Sequence, residues 1–220
     1  MPEAESGMLF PYKIVIWDWN GTLLNDIDHC VATINILLKE RGLPLLTNGR
    51  YKEVFSFPVK DYYQKAGFDF SKEDFAVPAR QFIERYNQGV NTCQLHKPVK
   101  AILQSFQEKN IRQFVLSAMK QDMLIKTLTY HKIIDIFEQV AGLDDHYAVS
   151  KIDQGKRLIQ EAGINKENTC MIGDTLHDFE VAQELGISCI LVADGHQSKQ
   201  RLETAGVDVL DSLEDLMNIG

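Results

Sequence analysis

Asp18, Asn20, Gly21 and Thr22 fall in KIVIWDWNGTLL, residues 13–24, where an apolar run ends in a carboxylate followed by a glycine and a hydroxyl. A carboxylate there is placed to attack phosphorus, while the glycine lets backbone approach a phosphate and the threonine offers it a hydroxyl. The same grammar returns in NTCMIGDTLHDFEVAQELG, residues 168–186: an apolar run, Gly173-Asp174, then a helix carrying Asp178. The i, i+4 spacing turns Asp174 and Asp178 to one side of the helix start. Such a pair suits magnesium, a hard cation held by one or two carboxylates, waters and substrate phosphate. Ser117, followed by Ala118, closes the strand-like IRQFVLS. In VSKIDQGKRLIQEAG, Lys151 at the helix entry and Lys156 inside the helix are both candidates for a cation. Either would offset the mutual repulsion of Asp18, Asp174 and a phosphate dianion.

The elements that must position these residues follow from the hydrophobic pattern. Lys13 to Trp17 reads as a strand buried on both faces, with Asp18 at its carboxyl end, where ligands bind in open α/β sheets. Apolar residues at helical spacing then run from Ile27 to about Leu43, ended by Gly42 and Pro44, and further helical stretches are predicted near 51–54, 58–67 and 71–87. From Pro98 the pattern alternates: helix 98–109, strand 111–117, helix 121–130, strand near 137–141, helix 151–162, strand 168–172, helix 176–185, strand 187–192 and a short strand at 207–210. This alternation predicts an α/β, Rossmann-like parallel sheet with helices on both faces. A small α-helical unit, residues 26–90, is inserted after the first strand, leaving 8–25 and 91–220 as the α/β core.

Together these motifs resemble the haloacid dehalogenase-like hydrolase superfamily, most of whose members are magnesium-dependent phosphatases. The resemblance runs from about Tyr12 to the C-terminus. It implies that Asp18 is the nucleophile, that Ser117 hydrogen-bonds the transferring phosphoryl group, and that Asp174 and Asp178 belong to the metal site with Asp18 and the backbone carbonyl of Asn20. Lys151, twenty-three residues before Asp174, resembles the charge-balancing lysine in its spacing. Thr22, Gly21 and Ala118 are then expected around the phosphate, and the insertion is the place of a cap that closes over the site. Arg50, with Ser56 and Lys60 around Phe57-Pro58, is the candidate cap contact to substrate. GLDDHYAVSK and GDTLHDFEVAQELGI are similar to phosphoglycolate phosphatase-like members of the family. One position departs from the pattern: phosphatases of this type carry Asp two residues after the nucleophile, and here it is Asn20. An amide hydrogen-bonds but cannot donate and recover a proton at neutral pH, which forfeits general acid–base help worth about 10²–10⁴-fold.

The expected activity is therefore magnesium-dependent hydrolysis of a small phosphorylated metabolite through an aspartyl phosphate. Two alternatives stand beside it. A haloacid dehalogenase also lacks the second acid but has no use for magnesium, and a phosphate-ester-binding or regulatory protein would carry Asn20 as its lesion. Composition agrees with an ordinary enzyme: 220 residues, 45% apolar, and a net charge of -8 that argues against nucleic acid or anionic membranes as partners. Cys30, Cys93, Cys170 and Cys189 show no metal spacing and are expected to stay reduced in the cytoplasm. No apolar run reaches a membrane span, and the polar stretch Met1 to Gly7 has no signal-peptide character and is expected to be disordered. Trp17 and Trp19 read as packing residues. His177 and His196 read as surface or helix-start residues, and His29, His96, His131 and His146 show no metal spacing.

Overall fold

The computed structural model describes residues 10–143 and 150–217. Met1 to Gly7, His146 and the middle of GLDDHYAVSK lie outside these residues. Strand β1 (Ile14–Trp17) is buried along its whole length, and β4 (Arg112–Lys120) and β6 (Thr169–Gly173) pair with it in parallel on either side. Adding β5 (Gln139–Leu143), β7 (Ser188–Val192) and β8 (Asp208–Leu210) gives one six-stranded sheet in the order β5-β4-β1-β6-β7-β8. Every pairing in it is parallel, as the alternating pattern predicts. The chain adds strands outward on one side of β1 and later on the other, so the switch in direction lies at β1, where α/β sheets open a crevice for ligands.

Successive side chains of a strand point to opposite faces, and here both faces are covered. Ile14, Ile16, Phe114, Leu116 and Met171 pack against Leu158 of α7 (Lys151–Glu161) and Val181 and Leu185 of α8 (Leu176–Leu185). Val15, Trp17, Val115 and Ile172 face Ile102 and Leu103 of α5 (Val99–Glu108) and Leu124 and Leu128 of α6 (Gln121–Tyr130). Trp17 and Trp19 are both fully buried, in keeping with packing roles.

Between β1 and α5 the chain leaves the sheet through β2 (Leu24–Asn25) and returns through β3 (Gln94–Leu95), which pair antiparallel. Two residues per strand leave no alternation to read, so this ribbon is absent from the sequence-based expectation. It brackets four helices: α1 (Ile27–Glu40), α2 (Asn48–Val54), α3 (Val59–Ala66) and α4 (Ala76–Gly89). The last starts five residues later than predicted, because Asp69 and Asp74 turn their carboxylates onto the backbone N–H groups of Ser71 and Ala76 and hold the approach in turns. Short helices α9 (Lys199–Leu202) and α10 (Glu214–Met217) flank β8. Among the described residues no helix is long and apolar enough to cross a membrane.

Candidate active site

The carboxyl ends of β1, β4 and β6 converge, and each delivers one residue singled out above: Asp18, Ser117 and Asp174. Asp18 N–H donates to Ile172 O at 2.9 Å, so the nucleophile candidate extends the β1–β6 ladder by one residue. The pairing of β4 with β5 becomes irregular between Leu116 and Lys120, and there the Ser117 hydroxyl accepts from Met119 N–H at 3.0 Å. Gly21 has φ of +78°, and a Cβ there would collide with the carboxylate of Asp174 and the ring of His196. Glycine is required by both the backbone angle and the lack of space.

Lys151 is the first residue of α7, whose start is fixed by a Ser150–Asp153 capping box. Its Nζ donates to Asp18 Oδ1 at 2.5 Å and to Asp178 Oδ1 at 2.6 Å, and all three side chains are almost fully buried. Lys156, by contrast, is exposed. The other Asp178 oxygen accepts from Asp174 N–H, Thr175 N–H and Thr175 Oγ1, closing a second capping box at the start of α8. Asp178 thus ties the lysine to the helix start. Asp174 accepts from Thr22 Oγ1 at 2.8 Å and from His196 N–H at 2.5 Å.

Carboxylate oxygens of Asp18, Asp174 and Asp178 lie within 4.8 Å of one another, which suits a hard divalent cation. Burial pushes Asp18 up to about 8 against the pull of Lys151, and the neighbouring Asp178 and Asp174 charges push the same way. Burial likewise raises Asp174 to about 6. Burial would raise Asp178 too, but Lys151 outweighs it and holds this carboxyl below its ordinary value. Three carboxylates ionised together around one ammonium would leave excess negative charge, which is why burial and mutual repulsion raise Asp18 and Asp174 and why a cation would favour their ionised forms.

Beside this cluster sits a second one that spacing did not reveal. Asp26 is fully buried and accepts from Gly21 N–H (2.9 Å), Asn20 Nδ2 (3.0 Å) and Tyr86 Oη (2.6 Å), with His196 Nε2 at 3.2 Å. Burial alone would raise its pKa, yet His196, Tyr86 and Asn20 together bring it down to about 2. Burial disfavours the His196 imidazolium, but Asp26, Asp174 and Asp18 raise it to about 9. The reading of His196 as a surface residue is therefore corrected: it is 4% exposed, and its Nδ1 meets Tyr51 Oη at 2.9 Å. His96, which also showed no pattern in sequence, is buried with its Nε2 3.0 Å from Gly21 O. Because a carboxylate only accepts, Asn20 must turn its NH₂ toward Asp26, and Tyr86 Oη accepts from the same nitrogen at 2.7 Å. The amide is matched to this pair.

A cavity of about 750 Å³ opens over the site, bounded on one side by Asp18, Asn20, Ser117, Ala118, Lys151, Asp174 and Asp178 and on the other by α2–α4. Arg50 is exposed and is not among its lining residues, nor are Ser56 and Lys60. The helices contribute aromatic rings instead. Their contact with the sheet side is specific: Phe57 stacks on His177 with ring centroids 4.5 Å apart, and Arg201 Nη1 donates to Lys52 O and Phe55 O, each at 2.7 Å.

A family model for haloacid dehalogenase-like hydrolases matches residues 15–192. A phosphoglycolate phosphatase of Aliivibrio fischeri is 20% identical over 90% of this chain and 91% of its own length. A 5'-nucleotidase of Pseudomonas aeruginosa is 23% identical over 87% of each. Among solved structures, a haloacid dehalogenase-like family hydrolase from Streptococcus pneumoniae superposes with a TM-score of 0.80 at 18% identity, covering 96% of this chain and all of that one.

Proposed function

The chain belongs to the haloacid dehalogenase-like hydrolase family, and from that premise we propose that it is a magnesium-dependent phosphatase that hydrolyses a small phosphorylated metabolite by transferring its phosphoryl group to Asp18. One observation carries this reading: the adjacent strands β4, β1 and β6 bring Ser117, Asp18 and Asp174 to one cavity, where the buried Lys151 bonds Asp18. The names of the relatives support phosphate esters as the substrate class. The four free cysteines suit a cytoplasmic setting.

In the proposed reaction a carboxylate oxygen of Asp18 forms a bond to phosphorus while the ester oxygen departs with its electron pair and takes a proton from water. Water then cleaves the aspartyl phosphate, releasing phosphate and restoring the carboxylate. Ser117, oriented by Met119 N–H, holds a phosphoryl oxygen beside Ala118, while Thr22 donates to Asp174 and Gly21 lets Asp174 and His196 approach the nucleophile loop. Lys151 balances charge on Asp18 and the phosphate. Magnesium, held by Asp18, Asp174 and the Asn20 carbonyl with Asp178 behind them, would neutralise the transferring group. Residues 26–90 act as the cap and 8–25 with 91–220 as the core. Arg201 and Gln197, which reach the carbonyls at the end of α2, hold the cap over the site and exclude water.

Two tests follow from the geometry. Lys151→Ala should lower kcat/KM by about 10²–10³-fold, while Lys156→Ala should change it less than about twofold; equal losses in steady-state assays would contradict the charge-balancing role. Asp174→Ala should weaken magnesium binding, measured by titration calorimetry, more than Asp178→Ala. The latter should act through its neighbours and cost about 10–100-fold in affinity. Because it strips Lys151 of one of two buried partners, Asp178→Ala should also lose about 3–5 kcal/mol of stability. The reverse order of metal affinities would overturn the assignment of Asp174 as the direct ligand.

A further inference from the structure

The two sides of the cavity differ in kind. On the sheet side stand the carboxylates together with Lys120, Lys151, His177 and His196. On the side formed by α2–α4, among the described residues, no lining side chain carries a charge, and the wall is built mainly of rings: Phe55, Phe57, Tyr62, Phe75 and Phe82, with Ile83 beside them. Ile83 is 55% exposed and Phe57 37%, so the outer edge of this wall is open to an entering group. Arg50 and Lys60, the candidate cap contacts that carry positive charge, are exposed and do not line this wall. At about 750 Å³ the space lies within the range of small-molecule sites and far exceeds what a phosphate with two carbons fills.

We propose that this cavity takes a phosphate monoester whose organic group is an uncharged aromatic ring system, released as a phenol. This rests on the phosphatase reading above and narrows its substrate. An apolar, ring-lined wall stabilises a flat apolar group by burial and edge-to-face contact, and presents no cation to pair with a second carboxylate. At the other end, Asn20 has no proton to give, so the leaving oxygen must depart unaided; a phenolate, with a conjugate acid of pKa about 10 as in tyrosine, does so more readily than an alkoxide. In the step, the P–O bond to the aryl oxygen breaks as the Asp18–phosphorus bond forms, and the aryl oxide takes its proton from water.

Phenyl and 2-naphthyl phosphate have leaving groups of similar acidity and differ in apolar area, so they separate recognition by the wall from leaving-group chemistry. At saturating magnesium the naphthyl ester should exceed the phenyl ester in kcat/KM by about tenfold or more, and phosphoglycolate should fall below both. Ile83→Lys, at the exposed edge of the wall, should bring the naphthyl-to-phenyl ratio close to one. Turnover of acetyl phosphate or phosphoglycolate with no naphthyl advantage would overturn the inference and leave the phosphatase reading standing. Absence of turnover with every phosphate would instead defeat that reading. Calorimetric binding of 2-naphthylphosphonate against phosphonoacetate would then decide the cavity's preference by itself, with equal or weaker naphthyl binding overturning it.

Discussion

Asp18→Asn should lower turnover by at least about 10⁴-fold while the protein remains folded. The carboxylate is 6% exposed, and an amide oxygen in its place still accepts from Lys151. Removing its charge relieves repulsion with Asp174 and Asp178 in a site where burial already disfavours ionisation, so the thermal midpoint should hold or rise. Loss of activity with loss of fold would reflect a structural role. Retained activity on the same substrate would remove covalent catalysis by this residue. Steady-state rates combined with circular dichroism distinguish these results.

The second large effect concerns Asn20. Shape alone makes Asn20→Asp look harmless, but the amide nitrogen lies 3.0 Å from Asp26 Oδ2 and 2.7 Å from Tyr86 Oη. Tyr86 spends its single proton on Asp26, so a carboxylate at position 20 would face one acceptor oxygen and one charged one. Like charges so close cannot both ionise, and the new carboxyl should keep its proton to higher pH than in the unfolded chain. Stability should therefore fall by about 1–3 kcal/mol at neutral pH and recover as pH drops from the raised value toward the ordinary carboxyl value. Adding Asp26→Asn to Asn20→Asp restores one amide opposite one carboxylate, and the double variant should regain most of the loss. A carboxyl that keeps its proton is also what a general acid needs, so turnover of alkyl phosphates at saturating magnesium should rise by up to about 10²–10⁴-fold in the single variant. An unchanged alkyl-ester rate would mean that the missing proton is not the bottleneck. Unchanged stability between pH 4 and 8 would contradict the proximity of Asp26.

Residues 14–24 and 168–178 were legible as site-forming because a carboxylate, a glycine and a hydroxyl at strand ends leave a local signature, and the parallel sheet was legible from alternation. Lys151 is separable from Lys156 in sequence only by its spacing from Asp174, which resembles that of the family's lysine; burial between Asp18 and Asp178 distinguishes it in the fold. Asp26, Tyr86 and His196 were not legible. They lie 60 and 110 residues apart in sequence, on α4 and in the loop after β7, and meet only when the four inserted helices fold over β1. Tyr86 and Phe82 sit on an amphipathic helix, where aromatic residues at that spacing read as core, so their role in lining a cavity is invisible without the tertiary arrangement. Arg50 carries its charge close in sequence to Phe57-Pro58, yet it is exposed, as long cationic side chains usually are.

A covalent bond between Asp18 and the phosphoryl group is the central step of the proposed reaction, and trapping that bond tests it most directly. Wild-type protein mixed with magnesium and acetyl phosphate, quenched in acid within the first turnover and digested, should carry one phosphoryl group on the peptide containing Asp18, labile to hydroxylamine as an acyl phosphate is and absent from Asp18→Asn. Phosphate release without label at Asp18, or label on any other residue with Asp18 unmodified, would contradict it.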